Sequence, residues 1–119
     1  VAYTGTHDND TPRGWWENGA SAVEKAAVHA YIQCEPQAGG ESPVWPLIRA
    51  VATSVADIAL YPVQDILELG SEARMNVPSR ASGNWSWRCP PGALTPHLAE
   101  RLGALTEVTD RDKHEPDPQ

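Results

Sequence analysis

His7, Asp8, Asn9 and Asp10 put one imidazole and two carboxylates into four consecutive positions, directly after a short β-prone run, Val1 to Thr4, and a glycine. Residues of these types at this spacing suit three kinds of chemistry: metal binding, proton transfer, or a grip on the hydroxyls of a polar substrate through charge-assisted hydrogen bonds. Calcium binding by EF-hand spacing fails. A loop starting at Asp8 would need an oxygen ligand at position 12, which is Pro12, and a Glu at position 19, which is Gly19. A His-Asp metal phosphohydrolase pair would need further His and Asp ligands on helices, and His29 falls off the apolar stripe of its helix, toward solvent. The plain alternative is that Asp8 or Asp10 caps a turn, the ordinary fate of Asp in such a cluster.

Composition narrows the partners. With 16 Asp and Glu against 9 Lys and Arg, the net charge is -7. Nucleic-acid backbones and anionic membranes attract clustered Lys and Arg, so neither is an expected partner, and a neutral polar substrate fits better. No apolar run approaches the roughly 18 residues of a membrane span, and no basic-then-apolar leader stands at the start. A cytoplasmic setting is expected. Cys34 and Cys89 lie far apart without metal-ligand spacing, which reads as two free thiols in a reducing compartment rather than a bridge or a metal site.

The elements that must hold the cluster come next. Val1 to Thr4 reads as a buried strand, followed by a loop containing Pro12 and Gly14. From Ser21, with Glu24 three residues on, the apolar positions Val23, Ala26, Ala27, Ala30, Tyr31 and Cys34 fall on one helical face; Pro36 and Gly39-Gly40 stop it. A second helix starts near Ser42-Pro43, with Val44, Leu47, Ile48, Val51, Ala52 and Val55 as its stripe. Ile58 to Val63 reads as a second strand, and a last helix starts at Thr95 with Leu98, Leu102 and Leu105 as its stripe. Two buried strands joined through helices should be parallel neighbours, and two strands cannot form a sheet covered on both faces. Phe is absent and Trp occurs five times, and the chain begins at Val1. The sequence therefore reads as α/β, the last quarter or so of a (β/α)8 barrel of about 250 residues or more, incomplete on its own.

Three stretches sharpen this. "YTGTHDNDTPRGWW", "YPVQDILELGSEARMN" and "SGNWSWR", in that order with a helical pair between the first two, resemble the C-terminal part of the amylomaltases, or 4-α-glucanotransferases, of the α-amylase clan. The resemblance spans residues 1 to about 109, the expected barrel portion, and leaves 110 to 119 as a charged, loose tail. It implies a (β/α)8 barrel, no cofactor, and transfer of α-1,4-glucan segments between malto-oligosaccharides by retaining double displacement, as in glycogen and maltodextrin metabolism. Retaining transfer uses a carboxylate nucleophile and an acid/base roughly 5 Å apart. The resemblance gives Asp8 a third role, that of transition-state stabiliser holding the 2- and 3-hydroxyls of the transferred sugar, with His7 on the same sugar edge and Asn76 as a sugar-contacting amide. The nucleophile and acid/base would belong to the upstream remainder of the same barrel.

Neither Asp57, at a helix end, nor Asp65, in the YPVQD strand, reads as a nucleophile. Glu72 and Arg74 read as a scaffolding pair. Trp85 and Trp87 alternate around Ser86; aromatic faces stack on sugars, but buried packing that anchors a long loop is the expected role, as for Trp15, Trp16 and Trp45. Pro12-Arg13 and Cys89-Pro90-Pro91 bear on loop detail. Two other classes remain open at this level: a carbohydrate-binding fragment, against which the three helical stripes speak because such modules are usually β-sandwiches, and a non-catalytic truncated remnant. The barrel reading expects Asp8 and Asn76 at the same end of the sheet.

Overall fold

Residues 1–32 and 42–112 are described in the structure, a computed structural model of the chain. Strand β1, Ala2–Tyr3, pairs in parallel with β2, Ala59–Leu60, in the register Ala2 to Ala59 and Tyr3 to Leu60. The expected parallel pairing is present. The strands are shorter than expected and not buried: Tyr3 and Leu60 each keep about half their surface exposed. A two-stranded sheet leaves each strand one unpaired edge, so nothing in the pair itself covers these side chains.

The segment between Thr11 and Gly19 is helical, where the sequence reading expects a loop. Thr11 caps it, its hydroxyl accepting from Gly14 N at 3.0 Å, and Pro12 takes the first helical position, where a missing N–H costs nothing. Helix α1, Pro12–Gly14, runs directly into a π-helical turn, Trp15–Gly19. Gly14 is required there by close approach: a Cβ would collide with Ser71 Oγ and lie 2.9 Å from Ser71 N. The turn delivers Trp16 into the interior, at 8% exposure. Lys25 Nζ sits 5.4 Å from the centre of the Trp16 ring, and the His29 ring meets it edge-on at 5.2 Å. His29 is thus exposed, as its place off the stripe implied, but leans on an aromatic.

Helix α2, Ala22–Tyr31, carries the expected capping box, with Glu24 N donating to Ser21 Oγ and Ser21 N to Glu24 Oε1. It buries no residue, and Val23 and Tyr31 are 80% and 75% exposed. Its apolar face has no cover within the described residues. Cys34, Pro36 and Gly39-Gly40 lie outside them. Helix α3, Val44–Ala52, behaves differently. Pro43 stands at its N-cap, and Val44, Ile48 and Ala52, at i, i+4 and i+8, are buried with Trp45. Val55 lies beyond the helix and is fully exposed, because the chain turns at Thr53.

The second correction concerns residues 61 to 66. The run to Val63 is not strand: Pro62 N-caps a short helix α4, Val63–Ile66, which packs on α3. Asp65 therefore lies in a helical turn rather than in a strand. A proline has no N–H for a strand ladder, and its extended ψ of 143° suits a helix entrance. A 3-10 turn, Ser71–Ala73, follows. Residues Val1–Cys89 form one compact unit, and a second begins at Pro90. That second unit holds α5, Pro96–Val108, started as expected by Thr95, whose hydroxyl accepts from Leu98 N at 3.2 Å. The expected tail from 110 lies mostly outside the described residues.

Candidate active site

The loop leaving β1 is closed by its own amide. Asn9 Oδ1 accepts from Thr6 N at 3.0 Å and from Thr6 Oγ1 at 2.9 Å, while Asn9 N donates to Thr6 O. His7 and Asp8 ride on the outside of this turn with about half of each side chain exposed. The two carboxylates of the cluster then divide their work. Asp10 takes the structural part: one oxygen accepts from Thr11 N at 2.8 Å, the other from Ser71 Oγ at 2.9 Å. Asp8 caps nothing in its own turn.

Asp8 is instead braced from two sides. His7 Nε2 lies 3.2 Å from Asp8 Oδ2, and Asn76 Nδ2 donates to Asp8 Oδ1 at 2.6 Å. The backbone of the same stretch is clamped as well, since Asn76 N donates to His7 O at 3.1 Å and Arg74 Nη2 to Asp8 O at 2.7 Å. Arg74 Nε completes the clamp on Asn76 O at 2.9 Å. Asp8 and Asn76 thus share one end of the sheet, as expected, and are directly bonded. Arg74 and Glu72 do not form the expected pair. Glu72 Oε1 accepts from Gly70 N at 3.1 Å, which leaves the guanidinium to hold the histidine-aspartate loop.

Trp85 is the residue that sequence reasoning misplaced. Its φ is +59°, so the chain at 85–87 is not the extended run that an alternating pattern assumes. The indole is 51% exposed, and its ring centre lies 5.0 Å from that of His7, tilted by 37°. Trp16 and Trp45, in contrast, are buried, as expected. Arg74 was detectable only through its place two residues before Asn76. Nothing in residue spacing signals the turn at Trp85.

Below the loop lies a cavity of about 150 Å³ bounded by Gly5, His7, Asp10, Gln64, Asp65 and Arg74, among others. Asp65 is 2% exposed, and Thr4 Oγ1 donates to its Oδ2 at 2.5 Å. Burial pushes this carboxyl above its ordinary 3.8, and the threonine bond opposes only part of the rise. Between the ordinary and the raised value the folded chain keeps a proton that the unfolded chain has lost, so this group's contribution to stability falls as pH rises through that window. Asp65→Asn cannot ionise. In the full-length protein its unfolding midpoint in urea, relative to the parent, is expected to move in the variant's favour as pH rises from about 4 to about 7; an offset that stays constant over that range would show that Asp65 titrates alike in both states.

Comparison with known proteins follows the same stretch of chain. A family model described as 4-alpha-glucanotransferase matches residues 1–95. The chain is 50% identical over 114 residues to a 4-alpha-glucanotransferase of Thermus thermophilus, covering 93% of this chain and 22% of that protein. To the chloroplastic/amyloplastic 4-alpha-glucanotransferase of Solanum tuberosum it is 49% identical over 108 residues, 91% of this chain and 18% of that one. Among solved structures, an amylomaltase from Streptococcus agalactiae in complex with acarbose superposes with a TM-score of 0.82 at 30% identity, over 92% of this chain and 21% of the other. The chain spans about a fifth of the length of the curated relatives it matches.

Proposed function

Because the chain belongs to the 4-alpha-glucanotransferase family, we propose that it supplies the C-terminal sector of a (β/α)8 barrel that transfers α-1,4-glucan segments between malto-oligosaccharides, and that Asp8 stabilises the transition state. The observation that carries this reading is the state of Asp8: half exposed, on a strand-end loop, with each oxygen fixed by a separate side chain. A carboxylate so fixed can accept hydrogen bonds from two adjacent sugar hydroxyls without reorganising, which is the condition for electrostatic stabilisation of a charged transition state.

Each neighbour has a part in that reading. As the sugar ring flattens toward an oxocarbenium ion, positive charge grows at its anomeric carbon and the hydroxyls gripped by Asp8 become better donors. His7 lies against Oδ2 and reaches the same sugar edge. Asn76 holds Oδ1 through one amide hydrogen, and its second amide hydrogen is available to a sugar oxygen. Among the described residues Arg74 binds backbone oxygens, those of Asp8 and Asn76, and keeps the loop in register. The covalent step belongs to a nucleophile and an acid/base elsewhere in the barrel. Asp10 and Asp65 are occupied by structural bonds and take neither role.

The test is direct. The full-length protein carrying this segment, incubated with maltotriose, is expected to release glucose and accumulate longer malto-oligosaccharides. Binding of maltohexaose without any product would favour a carbohydrate-binding role instead, and neither binding nor product would remove the reading.

A further inference from the structure

Three tryptophans of the first unit differ sharply in placement: Trp16 and Trp45 are at 8% and 6% exposure, whereas Trp85 keeps 51% of its surface beside His7. Within this segment the Trp85 indole meets the imidazole of His7, which itself lies against Asp8, and the rest of its surface is open. Trp85 is also held at a backbone conformation that a bulky residue rarely adopts, with φ at +59°. Such a conformation persists only where the surroundings enforce it, and here they do. Trp85 N donates to Met75 O at 2.6 Å, directly beside Asn76. The preceding residue is pinned as well, because Asn84 Oδ1 accepts from Val77 N at 2.9 Å and Asn84 Nδ2 donates to Arg80 O at 3.0 Å. Arg88 Nη1 closes the far side on the carbonyls of Trp85 and Trp87. The indole is therefore a pre-set surface, part against the imidazole and part open.

We propose that Trp85 is a substrate platform on which the unit of an α-glucan adjoining the one gripped by Asp8 stacks, so that it determines affinity for the chain rather than the rate of the chemical step. This rests on the proposed glucan-transfer reading. The axial C–H face of a glucose unit is apolar while its rim is polar, so an exposed indole beside hydrogen-bonding groups matches both parts of it. An indole on a pinned backbone, with its ring already against that of His7, loses less freedom on stacking than a free one. Its separation from Asp8 by one ring, that of His7, assigns it to the next unit along the chain.

Two variants of the full-length protein separate the roles. Trp85→Phe keeps an aromatic face, and Trp85→Leu keeps apolar bulk without one. With maltotriose as substrate, Trp85→Leu is expected to raise KM about tenfold with kcat within about threefold of the parent, and Trp85→Phe to stay within about threefold in both. Equal KM for the parent and Trp85→Leu would overturn the proposal, as would an equal rise in both variants. A fall in kcat alone would also overturn it, since that pattern belongs to a residue that only orients His7. Should Trp85→Leu fail to fold, quenching of indole fluorescence by maltohexaose decides: it is expected to be smaller in Trp85→Phe than in the parent, and equal quenching refutes the platform. If the parent transfers glucan and these contrasts are absent, the platform alone fails. A parent that neither transfers nor binds glucan removes the underlying reading and the platform with it.

Discussion

Replacing Asp8 by Asn in the full-length protein is expected to lower transfer from maltotriose by about a thousandfold or more, which corresponds to roughly 4 kcal/mol of lost transition-state stabilisation. The substitution keeps size and shape. Its side-chain oxygen can still accept from Asn76 Nδ2, so the 2.6 Å bond that orients the group survives. What disappears is the negative charge and one acceptor, because the position facing His7 at 3.2 Å becomes an N–H donor. A ground-state sugar loses at most one ordinary hydrogen bond, so KM should change little. The developing oxocarbenium ion loses the charge that answers it. The thermal midpoint should also stay close to the parent's, since the group is half exposed and its removal leaves no buried charge. Near-normal kcat in this variant would take Asp8 out of the mechanism.

Residues 1–119 produced by themselves are expected to give no detectable glucan transfer or hydrolysis. A retaining reaction needs two carboxyl groups about 5 Å apart across the scissile bond. Around Asp8, the nearby candidates are committed elsewhere: Asp10 to Thr11 N and Ser71, Asp65 to Thr4 below the loop. The same chain should be oligomeric, aggregated or only partly ordered in solution. Helix α2 buries no residue, with Val23 and Tyr31 largely exposed, and each strand of the pair has an open edge. Glucose release from maltotriose, followed with and without Asp8→Asn, tests the first half. Sedimentation and thermal unfolding test the second. Sustained turnover abolished by Asp8→Asn would contradict the one, and a monomeric cooperative transition the other.

Features encoded by a few neighbouring residues were legible in the sequence. The Ser21-Glu24 box and the Thr95 cap require only residues three apart, and both are present. Of the stripe read on α3, Val44, Ile48 and Ala52 are buried, while Leu47 and Val51 are half-buried and Val55 is exposed. Parallel pairing followed from two apolar runs with helices between them. What failed depends on context that spacing does not contain. The run at 58–63 looked β-prone throughout, but Pro62 ends the ladder and turns the chain into α4, taking Asp65 with it. Thr11-Pro12 is a cap and first-turn pair that was open to being read as a helix start, yet the glycine at position 14 suggested a loop. Trp85 was misjudged because its left-handed backbone is imposed by bonds to Met75, Val77 and Arg80 rather than by its own neighbours in sequence. His7, Asp8 and Asn76 came from the family resemblance; the local pattern alone left turn capping and substrate binding both open.

The bond between Asp8 and Asn76 spans 68 residues, and that between Thr4 and Asp65 spans 61. On a ribosome adding about 5–20 residues per second, Asp8 therefore exists for roughly 3–14 seconds before its partner has been made. In that interval the loop is held by its local contacts alone: the Thr6–Asn9 turn, the His7–Asp8 contact and the bond from Thr11 N to Asp10. Arg74 and Asn76 then arrive two residues apart, so the backbone clamp and the carboxylate brace can form almost at once on a turn already shaped to receive them. The site is completed by the late arrival of one short stretch, and slowing translation between codons 10 and 74 prolongs the time for which His7 and Asp8 stand exposed without it.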